Sequence, residues 1–206
     1  MTITGRSYTH TELWNCVEAQ IDAANKQPRG AFYFHMAGML FALLTYEAYL
    51  NTIGAIVDPE AWKNEKDFFR QANYSGLDGK LKRICEVTGI PRIDKSQNPY
   101  QTVERLANLR DFLAHGKIDE YSLKQPYMRE NEWSIFHGKL NKEITPENTE
   151  RAYQNVEKTI RTIHKSFEQI GELKDKWWVK ADPLKGFPES AEFHTEIRNS
   201  GDSIPI

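Results

Sequence analysis

An arginine, an aspartate and a histidine lie close together in a stretch of sequence that is otherwise mostly apolar. The stretch runs from Leu106 to Gly116 and carries Arg110, Asp111 and His115. An arginine is always cationic and binds phosphate, a histidine transfers protons near neutral pH, and a carboxylate can orient either of them. These residue types suit cleavage of a phosphodiester bond, in which a base takes the 2′-hydroxyl proton and cationic donors stabilise the phosphate.

The spacing predicts which of these side chains share a face of a helix. Asp111 and His115 are four residues apart, so they lie on one face, where the carboxylate can orient the imidazole ring. Asn108 is three residues before Asp111 and falls close to the same side. Arg110 and His115 are five apart, about 140° around an ideal helix, so one helix alone does not bring them together. The alternative interpretation is a surface ion pair between Arg110 and Asp111, with His115 as a cationic helix end.

One arginine and one histidine in each chain are few groups for this reaction, which needs a base, an acid and a phosphate-binding cation. A two-fold dimer that places two such helices side by side would double the supply. A homodimer through the motif helix, the helix that carries residues 106–116, is therefore part of the mechanistic hypothesis.

The composition is that of a folded chain with little net charge. Its 206 residues are 39% hydrophobic and 12% aromatic, and the formal net charge is −2. This length and composition predict one helical domain over residues 1–181, followed by a polar, flexible tail over residues 182–206. The net charge creates no general attraction for nucleic acid, so RNA or a nucleotide has to bind at a local patch.

Basic residues exceed acidic ones between residues 80 and 117, which makes this segment the candidate patch. The basic residues are Lys80, Lys82, Arg83, Arg92, Lys95, Arg105, Arg110 and Lys117, against the acidic residues Glu86, Asp94, Glu104 and Asp111. An ordinary solvated surface of mixed charge is the alternative interpretation.

The other chemistry-bearing residues predict neither a metal site nor a cofactor. The cysteines, Cys16 and Cys85, are far apart and outside any CxxC spacing, as expected of free thiols in a reducing compartment. The histidines outside the motif share no metal-ligand spacing with carboxylates. The N-terminus lacks the layout of a signal peptide, and we therefore predict a cytoplasmic protein.

One long apolar segment, Ala31–Val57, raises the alternative of a membrane span. A span needs about 20 predominantly apolar residues, and Glu47 falls inside that window. We therefore predict a central helix buried in a bundle and no membrane partner. Glu47 and Asn51 are four residues apart on this helix. They are either a satisfied polar pair of the bundle or part of the site, where Glu47 would orient Arg110.

Periodicity and end signals predict the remaining elements. The first helix runs to about Asn25, with Thr9 and Glu12 as a capping box, and Asp58 opens a short helix. A further helix over Leu77–Val87 ends at Gly89, and the motif helix lies between Pro99 and Gly116, which is its left-handed terminating residue. The last helix is capped by Thr145, and its apolar stripe runs to Trp177. Residues 118–144 mix aromatics, prolines and glycine, which predicts an irregular or hairpin insertion with a strand at Trp133–Phe136.

The motif resembles the signature of the HEPN superfamily, an arginine followed by a polar residue and, a few residues on, a histidine late in a helix. Arg110, Asp111 and His115 match its three positions. The segment Tyr46–Asn51 is similar to an early family helix that carries an aromatic residue, an acid and a Leu-Asn pair. The resemblance covers residues 31–116 and, in outline, the last helix.

The resemblance implies an all-α, up-and-down bundle of four to five main helices that dimerises with the motif helices at a shared cleft. It implies, for many members, RNA cleavage without a metal in toxin–antitoxin, phage-defence or RNA-processing settings, and hence an antitoxin protein as a further partner. Other members only bind nucleotides or protein partners, which is the alternative function.

Combined with the spacing, the resemblance suggests a role for each candidate residue. His115 would be the general acid and base, Arg110 the phosphate-binding donor and Asp111 the residue that orients them. The candidate substrate-binding residues around them are Asn108, Lys117, Glu47 and Asn51.

Overall fold

The structure of the chain, a computed structural model, describes residues 8–116 and 138–185. This part of the chain is helical and contains no β-strand, which confirms the predicted all-α class. The helices are α1 (Thr9–Lys26), α2 (Ala31–Val57), α3 (Pro59–Lys63), α4 (Glu65–Phe68), α5 (Gly76–Thr88), α6 (Tyr100–Ala114), α7 (Lys139–Glu143), α8 (Pro146–Phe167) and α9 (Trp177–Lys180), with a 3₁₀ turn at Ala72–Tyr74 before α5.

The contacts of α2 give the directions of its two long neighbours. His10, near the start of α1, lies beside Thr52, near the end of α2, with 3.1 Å between Nδ1 and Oγ1. Helices α1 and α2 are therefore antiparallel. Tyr49, also late in α2, contacts His164, late in α8, with 3.2 Å between its hydroxyl and Nδ1. Helices α2 and α8 therefore run the same way.

The motif helix α6 runs against α8. Asn155 donates a hydrogen bond of 2.7 Å to the Thr102 hydroxyl. Three residues further along α6, Arg105 Nη1 lies 3.4 Å from the side-chain oxygen of Asn148, which is earlier in α8. The long helices α1, α2, α6 and α8 thus alternate in direction along the chain.

Helix α2 is the centre of the bundle, and it contacts α1, α3, α5, α6 and α8. Its fully buried side chains include Leu43, Tyr46, Tyr49, Leu50 and Ile53. Burial of each of the three aliphatic ones contributes about 1.5–3 kcal/mol. Tyr46 and Tyr49 are therefore core residues. By length and composition α2 would also suit a membrane span. Its buried side chains pack on other helices, whereas Tyr33 and Leu44 are exposed.

Several predicted helix ends are confirmed. The Asp58 carboxylate accepts a hydrogen bond of 3.4 Å from the Ala61 backbone N–H at the start of α3. Gly89 follows α5 with φ 76°, a left-handed conformation that suits glycine. The Thr145 hydroxyl accepts a hydrogen bond of 3.2 Å from the Asn148 backbone N–H and so caps α8.

The predicted capping box at the start of α1 is wrong. The N-cap is Tyr8, and no side chain caps the helix there. Because α1 begins one residue earlier than predicted, Thr9 is already helical and Glu12 is one position too far along to close the box. The Thr11 hydroxyl instead donates to the Tyr8 carbonyl at 2.7 Å.

The last long helix is shorter than its apolar stripe predicts. Helix α8 ends at Phe167, turns follow, and Trp177 begins the separate helix α9. Gly171 lies in the connecting turns, and glycine is a poor helix former. The break lets the chain fold back, so that the Trp178 ring packs 5.0 Å from the Phe167 ring, centroid to centroid.

The end of the predicted insertion is also corrected, because residues 139–143 form α7 rather than irregular structure. Arg105 of α6 pairs with Glu143 and holds α7 against the motif helix. The packed chain continues to Leu184, which is buried. Lys117, the predicted strand at Trp133–Phe136 and residues 186–206 of the tail predicted over 182–206 lie outside the described residues.

Candidate functional site

The motif helix α6 buries one side and presents the other to solvent. Val103, Leu106 and Leu109 are buried in the core, as their three-residue spacing predicts. Asn108 and Asp111 lie on the exposed side. Packing of the apolar side thus fixes which way the polar residues of the motif point.

The helix ends at the histidine of the motif. The His115 backbone N–H donates to the Asp111 carbonyl at 3.1 Å, and Gly116 follows with φ 56°, which confirms the predicted left-handed end. His115 is exposed, and its ring makes no hydrogen bond within residues 8–116 and 138–185. The imidazole is therefore accessible to a ligand or to a second chain.

An open groove of about 400 Å³ lies between the exposed side of α6 and the first turn of α5. Asn108, Arg110 and Asp111 line it, and Gly76 and Asp78 form the opposite wall. His115 is not among the lining residues. The structure thus brings three of the predicted site residues to one groove and leaves the histidine beyond its end.

Two carboxylates hold the guanidinium group of Arg110. Its Nε lies 2.8 Å from Asp111 Oδ1, and its Nη1 lies 4.0 Å from Glu47 Oε2. The Nε–H does not point at the nearby carboxylate, so Nε is buried without a hydrogen bond among the described residues. In the single chain, Asp111 therefore pairs with Arg110 rather than with the His115 ring.

Glu47 also contacts a buried lysine, which links the motif to the bundle core. Lys80 of α5 is only 7% exposed. Its ammonium group lies 3.5 Å from Glu47 Oε1, 2.6 Å from Glu65 Oε1 and 2.8 Å from Asn51 Oδ1. A buried charge needs such partners. One oxygen of Glu47 thus faces Lys80, and the other faces Arg110.

The predicted polar pair of Glu47 and Asn51 does not form directly. Asn51 accepts from Lys80 at 2.8 Å and from the Trp62 indole at 3.4 Å, so it anchors the lysine and lies away from the groove. The role of Lys80 was not predicted. A signal did exist, because Lys80 shares the inward side of α5 with the buried residue Ile84, four positions on.

A second polar network forms one wall of the groove. The Tyr100 hydroxyl donates to Asp78 Oδ1, and Lys95 pairs with Asp78 Oδ2. Burial alone would raise the pKa of Asp78, but donation from Lys95 and Tyr100 outweighs it and lowers the pKa. Asp78 is therefore a fixed anion and not a proton donor at neutral pH.

No metal centre is evident in the part of the chain that the structure describes. Within it, no three or more His, Cys, Asp and Glu side chains gather where they could hold a metal ion. The titratable groups near the groove, Arg110, Glu47 and Lys80, instead form a chain of ion pairs. In this chain of ion pairs, Arg110 is the cation that lines the groove, and a guanidinium group can bind a phosphate.

Comparison of the chain with protein-family models, with curated proteins and with solved structures gave no match.

Proposed function

We propose that the protein is a metal-independent endoribonuclease of the HEPN type and works as a homodimer. The groove beside α6 holds the phosphate of the scissile bond, with Arg110 as its donor. His115 takes the proton from the 2′-hydroxyl group or gives one to the leaving 5′-oxygen, and the product carries a 2′,3′-cyclic phosphate.

One observation carries this proposal: Arg110 is held between Glu47 and Asp111 at the end of the helix whose next turn exposes His115. The Arg110 side chain is 41% exposed, so it is oriented and still open to a phosphate. Exposed ion pairs are worth at most about 1 kcal/mol, and a phosphate can therefore replace part of the interaction with Asp111.

The dimer completes the site. His115 does not line the groove of its own chain, and the His115 ring of a partner chain would supply the missing acid or base. A two-fold dimer with α6 against α6 places each histidine near the partner's groove. We infer that each site combines Arg110 of one chain with His115 of the other.

The test is cleavage of single-stranded RNA in EDTA. We expect wild type and the control Arg151→Ala, which removes an exposed arginine of α8, to cleave equally. We expect Arg110→Ala and His115→Ala to lose at least about 100-fold, the scale of a lost acid–base group. Equal activity of His115→Ala and wild type, or activity only after metal addition, would refute the proposal.

Mixing the two inactive variants tests the shared site. If sites combine two chains, an Arg110→Ala chain paired with a His115→Ala chain retains one complete site, and activity returns on mixing. If each site lies within one chain, the mixture stays inactive. The oligomeric state of each variant is measured by light scattering.

A second candidate is a non-catalytic module that binds a nucleotide. The observation in its favour is that the groove contains Arg110 and Asn108 but no imidazole from its own chain. This candidate predicts thermal stabilisation by a mononucleotide that depends on Arg110, no cleavage of RNA, and no effect of His115→Ala.

A further inference from the structure

The basic residues between positions 80 and 117 divide into two groups in the structure. Four are committed to other contacts: Lys80 to Glu65 and Asn51, Arg83 to Asp58, Arg105 to Glu143, and Arg110 to Asp111 and Glu47. Among the described residues of this segment, the remaining three, Lys82, Arg92 and Lys95, line a single cavity. The basic residues of this segment that remain therefore lie together in one local patch.

This cavity has an apolar floor under a cationic rim. It encloses about 310 Å³ between the 3₁₀ turn, α5 and the loop that follows α5. Leu81, Cys85 and Ile93 form the floor. Burial raises the pKa of the Cys85 thiol, so the floor carries no charge at neutral pH. Six polar or charged residues surround this floor, and a cavity that combines an apolar surface with polar groups suits a small ligand that has both kinds of group.

The rim has more cations than carboxylates. Arg92 and Lys82 share Glu86, at 3.4 Å and 3.9 Å, and Lys95 pairs with Asp78. Three cations therefore face two carboxylates. The Arg92 side chain is 70% exposed, and ion pairs in such settings are weak. A phosphate can compete for these cations, whereas Lys80 is closed to it by burial.

The cavity is adjacent to the motif groove. Ser75 and Asp78 line both the cavity and the motif groove. The carboxylate of Asp78 therefore lies between the two. Asp78 is fixed on the groove side by Tyr100 and on the cavity side by Lys95. A strand whose scissile phosphate lies at Arg110 can therefore cross this wall and place its neighbouring nucleotide in the cavity.

We propose that this cavity is a second nucleotide subsite for single-stranded RNA. The base of the neighbouring nucleotide lies on Leu81, Cys85 and Ile93, and its phosphate is held by the rim cations. The proposal rests on the proposed function only in taking the motif groove as the place of the scissile phosphate. The substrate is then single-stranded RNA, because a base that is paired in a duplex cannot enter the cavity and lie on its floor.

The experiment measures binding separately from cleavage. The probe is a fluorescein-labelled hexanucleotide with 2′-O-methyl groups, which has no 2′-hydroxyl nucleophile. The test variant is the triple change Lys82→Ala, Arg92→Ala and Lys95→Ala. The matched control removes three exposed lysines of the α8 side, Lys158, Lys165 and Lys174, and so has the same net charge.

We expect the test variant to bind at least tenfold more weakly than wild type and the control to bind like wild type. For single strands, each phosphate that is no longer neutralised reduces the steepness of log affinity against log salt by about 0.7, so loss of the one phosphate held by the rim should reduce it by about 0.7 in the triple variant. Arg92→Ala alone, at a highly exposed position, should weaken binding and reduce the salt dependence in the same direction by a smaller amount, and it serves if the triple variant unfolds.

Each result decides between the two proposals. Equal binding by test and control variants overturns the subsite, and His115-dependent cleavage would still support the ribonuclease. Loss of binding in the test variant, with no RNA cleavage by any form, supports the subsite and refutes catalysis. No binding of the probe by wild type overturns the subsite.

Discussion

The buried ammonium group of Lys80 lies 3.5 Å from Glu47 Oε1, and the other oxygen of Glu47 faces Arg110 at 4.0 Å. The arginine of the motif on α6 is thus connected, through the central helix α2, to a lysine on α5. Three helices have to pack correctly for the guanidinium group to take this position. The stability of the bundle and the orientation of the candidate site are therefore coupled, and each can be tested separately.

Replacement of the buried residue Lys80 tests how much its ion pairs contribute to the stability of the bundle. In Lys80→Met, Glu47, Glu65 and Asn51 lose their common cation while the apolar stem is kept. Because both carboxylates are partly exposed, we expect a loss of about 2 kcal/mol in the free energy of unfolding, less than for a fully buried pair. Urea denaturation measures it. The exposed control Lys66→Met should change stability by less than about 0.5 kcal/mol, and a similar loss in both would contradict the network.

Replacement of Glu47 tests the orientation of Arg110. Glu47→Gln keeps the shape and removes the charge, so we expect RNA cleavage to fall about threefold to tenfold, which corresponds to roughly 1 kcal/mol. The matched control is Glu65→Gln, which removes another carboxylate from Lys80 without touching Arg110. If both variants cleave equally, Glu47 acts only through stability. The two variants are compared by their single-turnover cleavage rates at saturating RNA.

Stability should depend on pH through two buried histidines. Burial is the main cause that lowers the pKa of His10, to about 4, and it also lowers the pKa of His164. As the pH falls from 6.5 towards 4, the unfolded chain takes up protons that the folded chain excludes. Stability is therefore full above pH 6.5 and declines below it, by on the order of 3 kcal/mol for His10.

Urea midpoints between pH 7 and pH 4.5 test this dependence. His10→Gln should flatten the curve because it removes a group that, over this pH range, takes up its proton mainly in the unfolded state. The matched control is His115→Gln, at an exposed histidine. A flat curve in wild type, or an equal flattening by both variants, would contradict the assignment to the buried ring.

The close approach of α2 and α3 should not tolerate a methyl group. A Cβ atom at Gly54 would lie 2.0 Å from the Trp62 ring, so the buried indole has to move. We expect Gly54→Ala to lower the free energy of unfolding by about 1–3 kcal/mol despite the better helix propensity of alanine. Gly171→Ala, where nothing lies within 4 Å of the new methyl group, is the control. Thermal unfolding of both variants makes the comparison.

Local signals predicted the helical elements well and failed where packing intervened. The ends at Asp58, Gly89, Gly116 and Thr145 are set by backbone groups a few residues away, so the sequence shows them. The end of α8 at Phe167 is different. The apolar stripe continues to Trp177, but the break is stabilised by contact of Trp178 with Phe167, and periodicity does not record that contact.

The sequence by itself determined the all-α class, the span of α2, the left-handed end of the motif helix and the placing of Asp111 and Asn108 on its exposed side. Only the tertiary structure decided that Glu47 joins Arg110 to Lys80, that His115 stays outside the groove of its own chain, and that Lys82, Arg92 and Lys95 share one cavity. Helix periodicity and capping act over about four residues. Contacts between helices depend on how whole apolar faces pack, and no spacing along one segment contains that information.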